Sequence, residues 1–298
     1  MFIFLLAQLY AMFPYEEVSC PIGDDHARIF SLISQNQMGG YDSDLASYSK
    51  GEQFRTFAIS TCYENFFSLY GKDFTIELTD DQKKKIEGVL KQSKKRLLDP
   101  KNPLLWERYE IAADIYKSLE YNNGFLAQLY LEASWTVRDS FVGFHQGLEG
   151  PKAVEEVLNH GFSEIASQTD PDKKKLLIFN LARVAHRGGN ETLRNQYLDM
   201  FTSLSNLTDR DKNSISYVQD YALKKERYYQ EKALFFFASA LKTDDLNPKE
   251  KNRILYLTAD LHRRLGNHAE AIKRYKKVQV TGNDSRLHEL SLFFIQKE

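Results

Sequence analysis

The sequence predicts an α+β protein that is predominantly α, with a small strand-rich head followed by a longer series of helical hairpins. Two observations lead to this fold class. Residues 14–74 are rich in Gly, Ser, Tyr and Phe and contain alternating runs such as FRTFAIS, which are typical of strands and loops. Beyond residue 78 the apolar residues recur with a helical period, and Gly, Pro and Asn mark the ends of the periodic segments.

Residues 1–13, MFIFLLAQLYAMF, form an apolar segment of about ten residues before the chain turns polar. A helix that crosses a bilayer needs roughly 20 residues, whereas this length suits the apolar region of a secretory signal. Leu9-Tyr10-Ala11 is a passable cleavage site, although the usual positive flank is missing. We therefore predict a possible signal segment and a periplasmic or secreted protein. The alternative is a buried strand or helix in a cytoplasmic protein.

The head is predicted to span residues 14–78, and the helical domain residues 79–298. Thr79 is the expected N-cap of the first helix, with Gln82 completing a capping box, and Asp99-Pro100 ends this helix. Two shorter helices are expected at the C-terminal end of the chain. Between these, helices are predicted over residues 103–121, 125–138, 152–167, 171–187, 191–204, 212–241 and 248–265.

The composition is that of a globular protein and favours neither nucleic acid nor membrane as a partner. The 298 residues are 42% hydrophobic, and 40 basic against 41 acidic residues give a net charge of −1. No global field therefore attracts nucleic acid. The lysine-rich run DQKKKIEGVLKQSKKR is interpreted as the solvated side of an amphipathic helix, with a nucleic-acid-binding face as the alternative. We predict no integral membrane domain, since no other segment approaches spanning length.

The run LYLTADLHRRLGNHAEAIKRYKKV resembles a tetratricopeptide repeat. Ala259 and Ala271 are the small residues that let two antiparallel helices approach, Gly266 lies at the turn, and Tyr275 fills the space between repeats. Residues 177–201 and 106–135 are looser copies. The resemblance implies divergent hairpins stacked into a short solenoid.

Several separate pieces together resemble the bacterial domain-of-unknown-function family 2225. They are the half-knuckle Cys20-Pro21-Ile22-Gly23, the stretch YDSD with Asp42 and Asp44, the segment FRTFAISTCYENFF around Cys62, and the hairpin around Gly266. The resemblance spans most of residues 16–280. It implies a knuckle-like head on a helical tail and a bacterial protein, and it implies no known activity.

Members of this family usually carry two CxxC pairs, but Gly23 and Asn65 stand here where the second cysteine of each pair would be. If the two half-knuckles still face each other, Cys20 and Cys62 are placed for a disulfide, which suits an oxidising envelope. Two reduced, buried cysteines are the alternative.

A zinc site is a second alternative at the half-knuckles. Because only two thiols remain, zinc would need His26 and an oxygen from Asp24 or Glu64 to complete four ligands. We predict no bound metal and no cofactor.

The sequence contains no recognisable catalytic motif, so we predict that the protein is not an enzyme. GxSxG, HExxH and phosphate-binding glycine loops are absent from it. Asp42 and Asp44 are two residues apart and would share one face of a strand, but we interpret them as turn caps. His186 is expected to complete the C-terminus of a helix, where a cation is favoured.

These observations predict a non-catalytic protein-protein interaction or scaffolding module, located in the bacterial envelope, with a protein or peptide partner. The alternative is a metal-binding protein or hydrolase-like enzyme that uses carboxylates of the head with His26. Within the run KALFFFASAL, at least two of Phe235, Phe236 and Phe237 are expected to be buried.

Overall fold

The computed structural model describes residues 14–143, 147–281 and 284–297, so the predicted signal segment lies outside the described residues. The head contains short strands joined by loops. They are β1 (Tyr15–Ser19), β2 (His26–Phe30), β3 (Gly40–Tyr41), β4 (Ser47–Tyr48), β5 (Ile59–Thr61) and β6 (Ser68–Tyr70). Strands β1 and β2 form an antiparallel hairpin, and so do β5 and β6. The head is therefore strand-rich, as its alternating sequence predicts.

One strand of the head sheet comes from the helical part of the chain. β7 (Leu148–Glu149) pairs in parallel with β3, with Gly40 opposite Leu148. Gly40 has φ +78°, and a Cβ atom there would lie 1.9 Å from the carbonyl oxygen of Leu148, so only glycine allows this approach. The sequence did not predict β7, because two residues are too few to show a strand period.

The remaining described residues are mostly helical, which confirms the predicted α+β, predominantly α fold class. The helices are α1 (Asp80–Lys94), α2 (Leu105–Ser118), α3 (Asn123–Val142), α4 (Gly150–Ser167), α5 (Pro171–Arg187), α6 (Glu191–Thr202), α7 (Asp209–Ser216), α8 (Leu223–Thr243), α9 (Pro248–Arg264), α10 (His268–Thr281) and α11 (Ser285–Lys297). A π-helical turn, Tyr217–Ala222, joins α7 to α8. Within the described part of the chain, no helix combines the length and the apolar character needed to cross a membrane.

Local signals explain the ends of several helices. Thr79 accepts a hydrogen bond from the backbone N–H of Gln82, and the Gln82 side chain accepts one from the N–H of Thr79, so the predicted capping box is present. The lysine-rich helix α1 buries Ile86 and Leu90 and leaves its lysines on the outer side. Asn247 and Glu250 form a second capping box at the start of α9.

Helix α3 lies at the centre of the helical body, where it packs on α2 and α8. Most of its side chains are buried around the whole circumference, as expected for a helix that is apolar on every side. Tyr130 of α3 stacks on Phe236 of α8 at 5.5 Å between ring centroids. Phe236 and Phe237 are buried while Phe235 is 64% exposed, which confirms the prediction for this aromatic run.

Helices α9 and α10 form the hairpin that resembles a tetratricopeptide repeat. Ala259, Ala271 and Tyr275 are buried, and Gly266 has φ +83° at the turn between the helices. The repeat interpretation itself stays a prediction. The small residues nevertheless lie on the packed side of the hairpin, where the sequence pattern requires them.

Candidate functional site

The stretch YDSD enters the helical body through a tight turn between β3 and β4. The backbone N–H of Leu45 donates to the carbonyl oxygen of Asp42 at 3.0 Å, and Leu45 has φ +68°. This turn points Asp42, Ser43 and Asp44 away from solvent, and each is at most 2% exposed. The head therefore inserts two carboxylates into the protein interior.

Arg138 of α3 binds both of these carboxylates. Its Nη1 donates to Oδ2 of Asp42 at 3.0 Å and to Oδ1 of Asp44 at 3.1 Å, and its Nη2 lies 2.5 Å from Oδ2 of Asp44. Its Nε donates to Oε1 of Glu226 on α8 at 2.9 Å. One buried guanidinium thus joins the head to two helices of the body.

A second arginine and a tyrosine complete the surroundings of Asp42. Nε of Arg187, on α5, donates to Oδ1 of Asp42 at 2.7 Å, and the guanidinium lies 4.0 Å from the ring centroid of Tyr48. The hydroxyl of Tyr48 donates to Oδ2 of Asp42 at 2.7 Å. The interpretation of Asp42 as a turn cap is therefore wrong, because buried cationic and hydroxyl donors occupy both carboxylate oxygens.

Helix α9 closes the other side through Asp260, Arg263 and Arg264. Both arginines donate to Asp260, at 2.8 Å each, and both donate to the hydroxyl oxygen of Ser43, at 2.8 and 2.9 Å. Trp135 donates through Nε1 to Oδ2 of Asp44 at 3.0 Å. Asp44 also accepts a 3.4 Å bond from the N–H of Ala46, so its predicted role in the turn is real but minor.

We call this set of charged residues the junction cluster. It contains four carboxylates and four guanidiniums, from Asp42, Asp44, Glu226, Asp260, Arg138, Arg187, Arg263 and Arg264. The formal charges cancel, and all eight side chains are at most 7% exposed. Buried charges are tolerated when they are paired and hydrogen-bonded in this way.

Arginines of the junction cluster keep the carboxylates of Asp44 and Glu226 ionised. Burial raises the pKa of Asp44, but the guanidiniums of Arg138 and Arg264 outweigh it and hold that pKa below its usual range. Burial likewise opposes ionisation of Glu226, but the hydrogen bond with His186 and the charge of Arg138 hold its pKa below its usual range. Ionised carboxylates whose oxygens are already occupied are unsuited to act as general bases or metal ligands.

A cleft of about 220 Å³ opens beside the junction cluster, between α5, α6, α8 and α9. Nε2 of His186 lies 2.6 Å from Oε2 of Glu226, and Nη1 of Arg194 lies 3.3 Å from Nδ1 of His186. Since a guanidinium only donates, Nδ1 is the acceptor, and Nε2 carries the proton donated to Glu226. Burial lowers the pKa of His186 and favours the neutral ring.

This geometry corrects the expectation for His186. The residue is in the last turn of α5, as predicted, but it is a buried neutral imidazole and not a cation at the helix end. A histidine held by a carboxylate can serve as a base. Among the described residues that line the cleft, there is no Ser, Thr or Cys beside this pair.

The two cysteines form the predicted disulfide. Cys20 and Cys62 are bonded, with their Cα atoms 6.2 Å apart. The two half-knuckles face each other: Nδ2 of Asn65 donates to the carbonyl oxygen of Ile22 at 2.7 Å, and a Cβ atom on Gly23 would lie 3.5 Å from the same nitrogen. Gly23 and Asn65, where the resemblance to the family placed the second cysteine of each pair, are thus neighbours in the structure.

The predicted alternative zinc ligands are not assembled around these cysteines. In residues 14–143, 147–281 and 284–297, the group of ligand atoms close enough for a metal comprises Cys20, Asp25 and Cys62, and both sulfurs are already bonded to each other. His26 is exposed on β2, whereas Asp42 and Asp44 are buried in the junction cluster, so these residues do not form one site.

Most of the junction cluster was not predicted from the sequence. The sequence pattern indicated Asp42 and Asp44 but not the arginines, Glu226 or Asp260. One signal was available for Arg138, which lies in the run SWTVRDSFV on a helix that is otherwise largely apolar. A charged residue on a buried helical face requires a partner.

The fold is thus α+β and mostly α, and buried ion pairs of the junction cluster connect the N-terminal stretch that carries Asp42 and Asp44 to helices α3, α5, α8 and α9. The family described as "Uncharacterized protein conserved in bacteria (DUF2225)" matches residues 210–292, from α7 into α11. The resemblance predicted from the sequence is confirmed over this part of the chain, which includes Glu226, Asp260, Arg263 and Arg264. No curated protein and no solved structure matches the chain.

Acid is expected to destabilise the fold through His186. Its pKa is lowered from 6.5 in the folded protein, so the unfolded chain takes up the proton first as the pH falls below that value. As the pH falls below about 6.5, the free energy of unfolding should fall, by at most about 1.4 kcal/mol per pH unit from this group. The pH dependence should be shallower in His186→Gln, which keeps a donor for Glu226 but does not titrate. Denaturant titrations at each pH test this, and equal slopes for both proteins would contradict it.

Proposed function

We propose that the protein is a non-catalytic protein-protein interaction or scaffolding module that works in an oxidising compartment of the bacterial envelope. The junction cluster supports a structural role, because arginines neutralise its carboxylates and Asp42, Asp44 and Asp260 are buried away from the clefts. The disulfide between Cys20 and Cys62 supports an oxidising location, since such bonds persist outside the reducing cytosol. The finer interpretation, tetratricopeptide-like hairpins that present a binding surface, belongs to the same proposal.

One observation carries the proposal most directly: the loop Ser31–Met38, between β2 and β3, presents apolar side chains to solvent. Leu32, Ile33 and Met38 are 44%, 65% and 64% exposed. Exposed large apolar side chains that come from one short segment are candidates for a protein interface. We call this segment the apolar loop.

The apolar loop is fixed at its base and is not a free linker. Oδ1 of Asn36 accepts hydrogen bonds from the backbone N–H of Lys50 at 2.7 Å and of Met38 at 3.2 Å, while its Nδ2 donates to the carbonyl oxygen of Lys50. The side chain of Gln35 accepts a bond from the N–H of Phe54 at 3.2 Å. An ordered loop of this kind loses little conformational freedom on binding, which favours affinity.

Site-specific variants test this function in a bacterium that carries the protein. The tagged wild type, the double variant Ile33→Asp/Met38→Asp and the control Leu98→Asp are crosslinked in cells and purified. Leu98 is 67% exposed but lies between α1 and α2, far along the chain from the apolar loop. A buried charge at an interface costs several-fold to many-fold in affinity, so the double variant should lose a crosslinked partner that the other two proteins retain.

Two outcomes of this experiment would contradict the proposal. Identical partners in all three samples would remove the apolar loop as the interface. Absence of any crosslinked protein from the wild type, at expression levels where the protein is readily recovered, would count against an interaction module altogether.

A further inference from the structure

A second cleft, separate from the junction cluster, lies at the end of α3. It has a volume of about 510 Å³ and is formed by the last turn of α3, the middle of α5, α7 and the start of the π-helical turn. This volume falls within the roughly 300 to 1,000 Å³ that is usual for sites that bind small molecules. We call it the α3–α7 cleft.

Among the described residues, the charged side chains that line the α3–α7 cleft are both cationic. They are Arg183 and Arg210, and no carboxylate lines the cleft with them. Arg183 is partly buried, and its hydrogen bonds go to neutral acceptors: the carbonyl oxygen of Phe141 at 3.1 Å and Oδ1 of Asn180 at 3.4 Å. Burial lowers the pKa of Arg183, and no neighbouring carboxylate offsets that effect. A partly desolvated cation without a counter-charge is unfavourable, and a bound anion would relieve it.

Aromatic rings stand next to this guanidinium. Arg183 lies over the ring of Phe179, 4.5 Å from its centroid, and Phe141 packs edge-on against Phe179 at 6.0 Å. Tyr217, which is 38% exposed, forms another wall, and its hydroxyl lies 2.9 Å from Oγ of Ser140. Ring faces beside a cation suit a ligand that has both a flat apolar part and an acidic group.

The backbone at this cleft is unusual. Tyr217 and Val218, which line it, are the first two residues of the π-helical turn. Such turns are rare and are frequent at functional sites, where the wider turn displaces side chains from their α-helical positions. Here it interrupts what would otherwise be one helix from α7 into α8 at the wall of the cleft.

We propose that the α3–α7 cleft binds a small organic anion, whose carboxylate or phosphate pairs with Arg183 and whose flat apolar part packs on Phe179 and Tyr217. Arg210, on the first turn of α7, supplies a second positive charge at the rim. The residues that line the cleft indicate the ligand class. A simple inorganic anion would make no contact with the aromatic rings, and a neutral aromatic molecule would leave the charge of Arg183 without a counter-charge.

Titration calorimetry with naphthoate tests the proposal, with naphthamide as the neutral control of the same shape. Naphthoate should bind the full-length wild type and naphthamide should bind at least about tenfold more weakly, because a hydrogen bond to a charged partner exceeds a neutral one by about that factor. The variant Arg183→Met should bind naphthoate at least about tenfold more weakly than the wild type does. Its affinity for naphthamide should be nearly unchanged.

Arg108→Met is the matched control. Arg108 is also a partly buried arginine that donates through Nε to a backbone carbonyl, at 3.1 Å to Pro103, and burial likewise lowers its pKa. It does not line the α3–α7 cleft, so this variant should bind naphthoate like the wild type. If Arg183→Met proves unfolded by circular dichroism, the exposed Arg210→Gln takes its place, with an expected weakening of about threefold that disappears at high salt.

Each remaining outcome overturns the proposal. Equal binding of naphthoate and naphthamide would show an apolar site without anion recognition. Unchanged naphthoate binding in folded Arg183→Met, or an equal loss in Arg108→Met, would place the anion elsewhere. No detectable binding of naphthoate to the wild type would remove this ligand class.

Discussion

Replacing Asp44 by asparagine is expected to lower the free energy of unfolding by about 3 to 5 kcal/mol. Asparagine keeps the size of the side chain but removes its charge, which leaves Arg138 and Arg264 with an uncompensated excess of positive charge in the interior. Arg138 is completely buried and cannot turn to water. Removal of one partner from a buried ion pair is costly for this reason, even where the intact pair contributes little net stability.

Urea denaturation of Asp44→Asn and of a surface control measures this effect. Glu17 pairs with Arg28 at 3.3 Å, but both side chains are about half exposed, at 56% and 48%. Glu17→Gln should therefore leave the denaturation midpoint nearly unchanged. If Asp44→Asn lost no more stability than Glu17→Gln, the junction cluster would not hold the head on the body.

The contrast between the helices and the junction cluster shows what a single sequence can predict. The helix that begins after Thr79 was predictable because its capping box and apolar period lie within a few residues of each other. The pairing of Asp44 with Arg138 was not, because the two residues are 94 positions apart and no local pattern connects them. Tertiary ion pairs depend on how elements pack, which the period of each element does not specify.

Two local features also escaped prediction, for different reasons. Residues 212–241 were predicted as one helical tract, and the chain is helical there, but the π-helical turn at Tyr217–Ala222 has no sequence signature of its own. Strand β7 is formed by a backbone pairing with β3, and Gly40 is the residue that permits it. Gly40 can be recognised in the sequence as a residue that permits a close backbone approach, but no local pattern indicates that Leu148 is its partner.

The disulfide was predicted from a resemblance to a family and not from the hydrophobic period of a helix or strand. Cys20 and Cys62 each begin a turn of the same size, closed by hydrogen bonds from the N–H of Cys20 to the carbonyl of Asp25 at 2.8 Å and from Cys62 to Phe67 at 2.9 Å. Similar half-knuckles bring their first residues together when they face each other. The resemblance therefore predicted the bond, and Gly23 and Asn65 lie where that resemblance placed the second cysteine of each pair.

Reduction of this disulfide, or the double variant Cys20→Ala/Cys62→Ala, is expected to lower the free energy of unfolding by about 4 kcal/mol in the chain-entropy description. The two residues are 42 positions apart, so the bond closes a long loop that contains most of the head. A region of this size buries too little apolar surface to be stable alone, and it depends on the bond and on the junction cluster.

Thermal unfolding with and without reductant measures the contribution of the bond, and the double variant is the control for the reductant itself. The wild type should melt at a lower temperature in reductant, while the double variant should melt at the same temperature in both buffers. The variant Asn65→Ala removes a hydrogen bond between the half-knuckles but keeps the disulfide, so it should remain sensitive to reductant. An unchanged wild-type melting temperature on full reduction would contradict the prediction.

A second experiment tests the location of the protein independently of the stability that the disulfide contributes. Free thiols are blocked in intact cells, before lysis. In an oxidising envelope both cysteines should resist alkylation, because they are buried as well as bonded, and denaturation after blocking should still release no free thiol. If the protein resides in the reducing cytosol, alkylation in denaturant at neutral pH, after the cells are quenched in acid to preserve the redox state, would label both cysteines. That result would overturn the envelope location, while the difference in melting temperature would still measure what the disulfide contributes once it has formed.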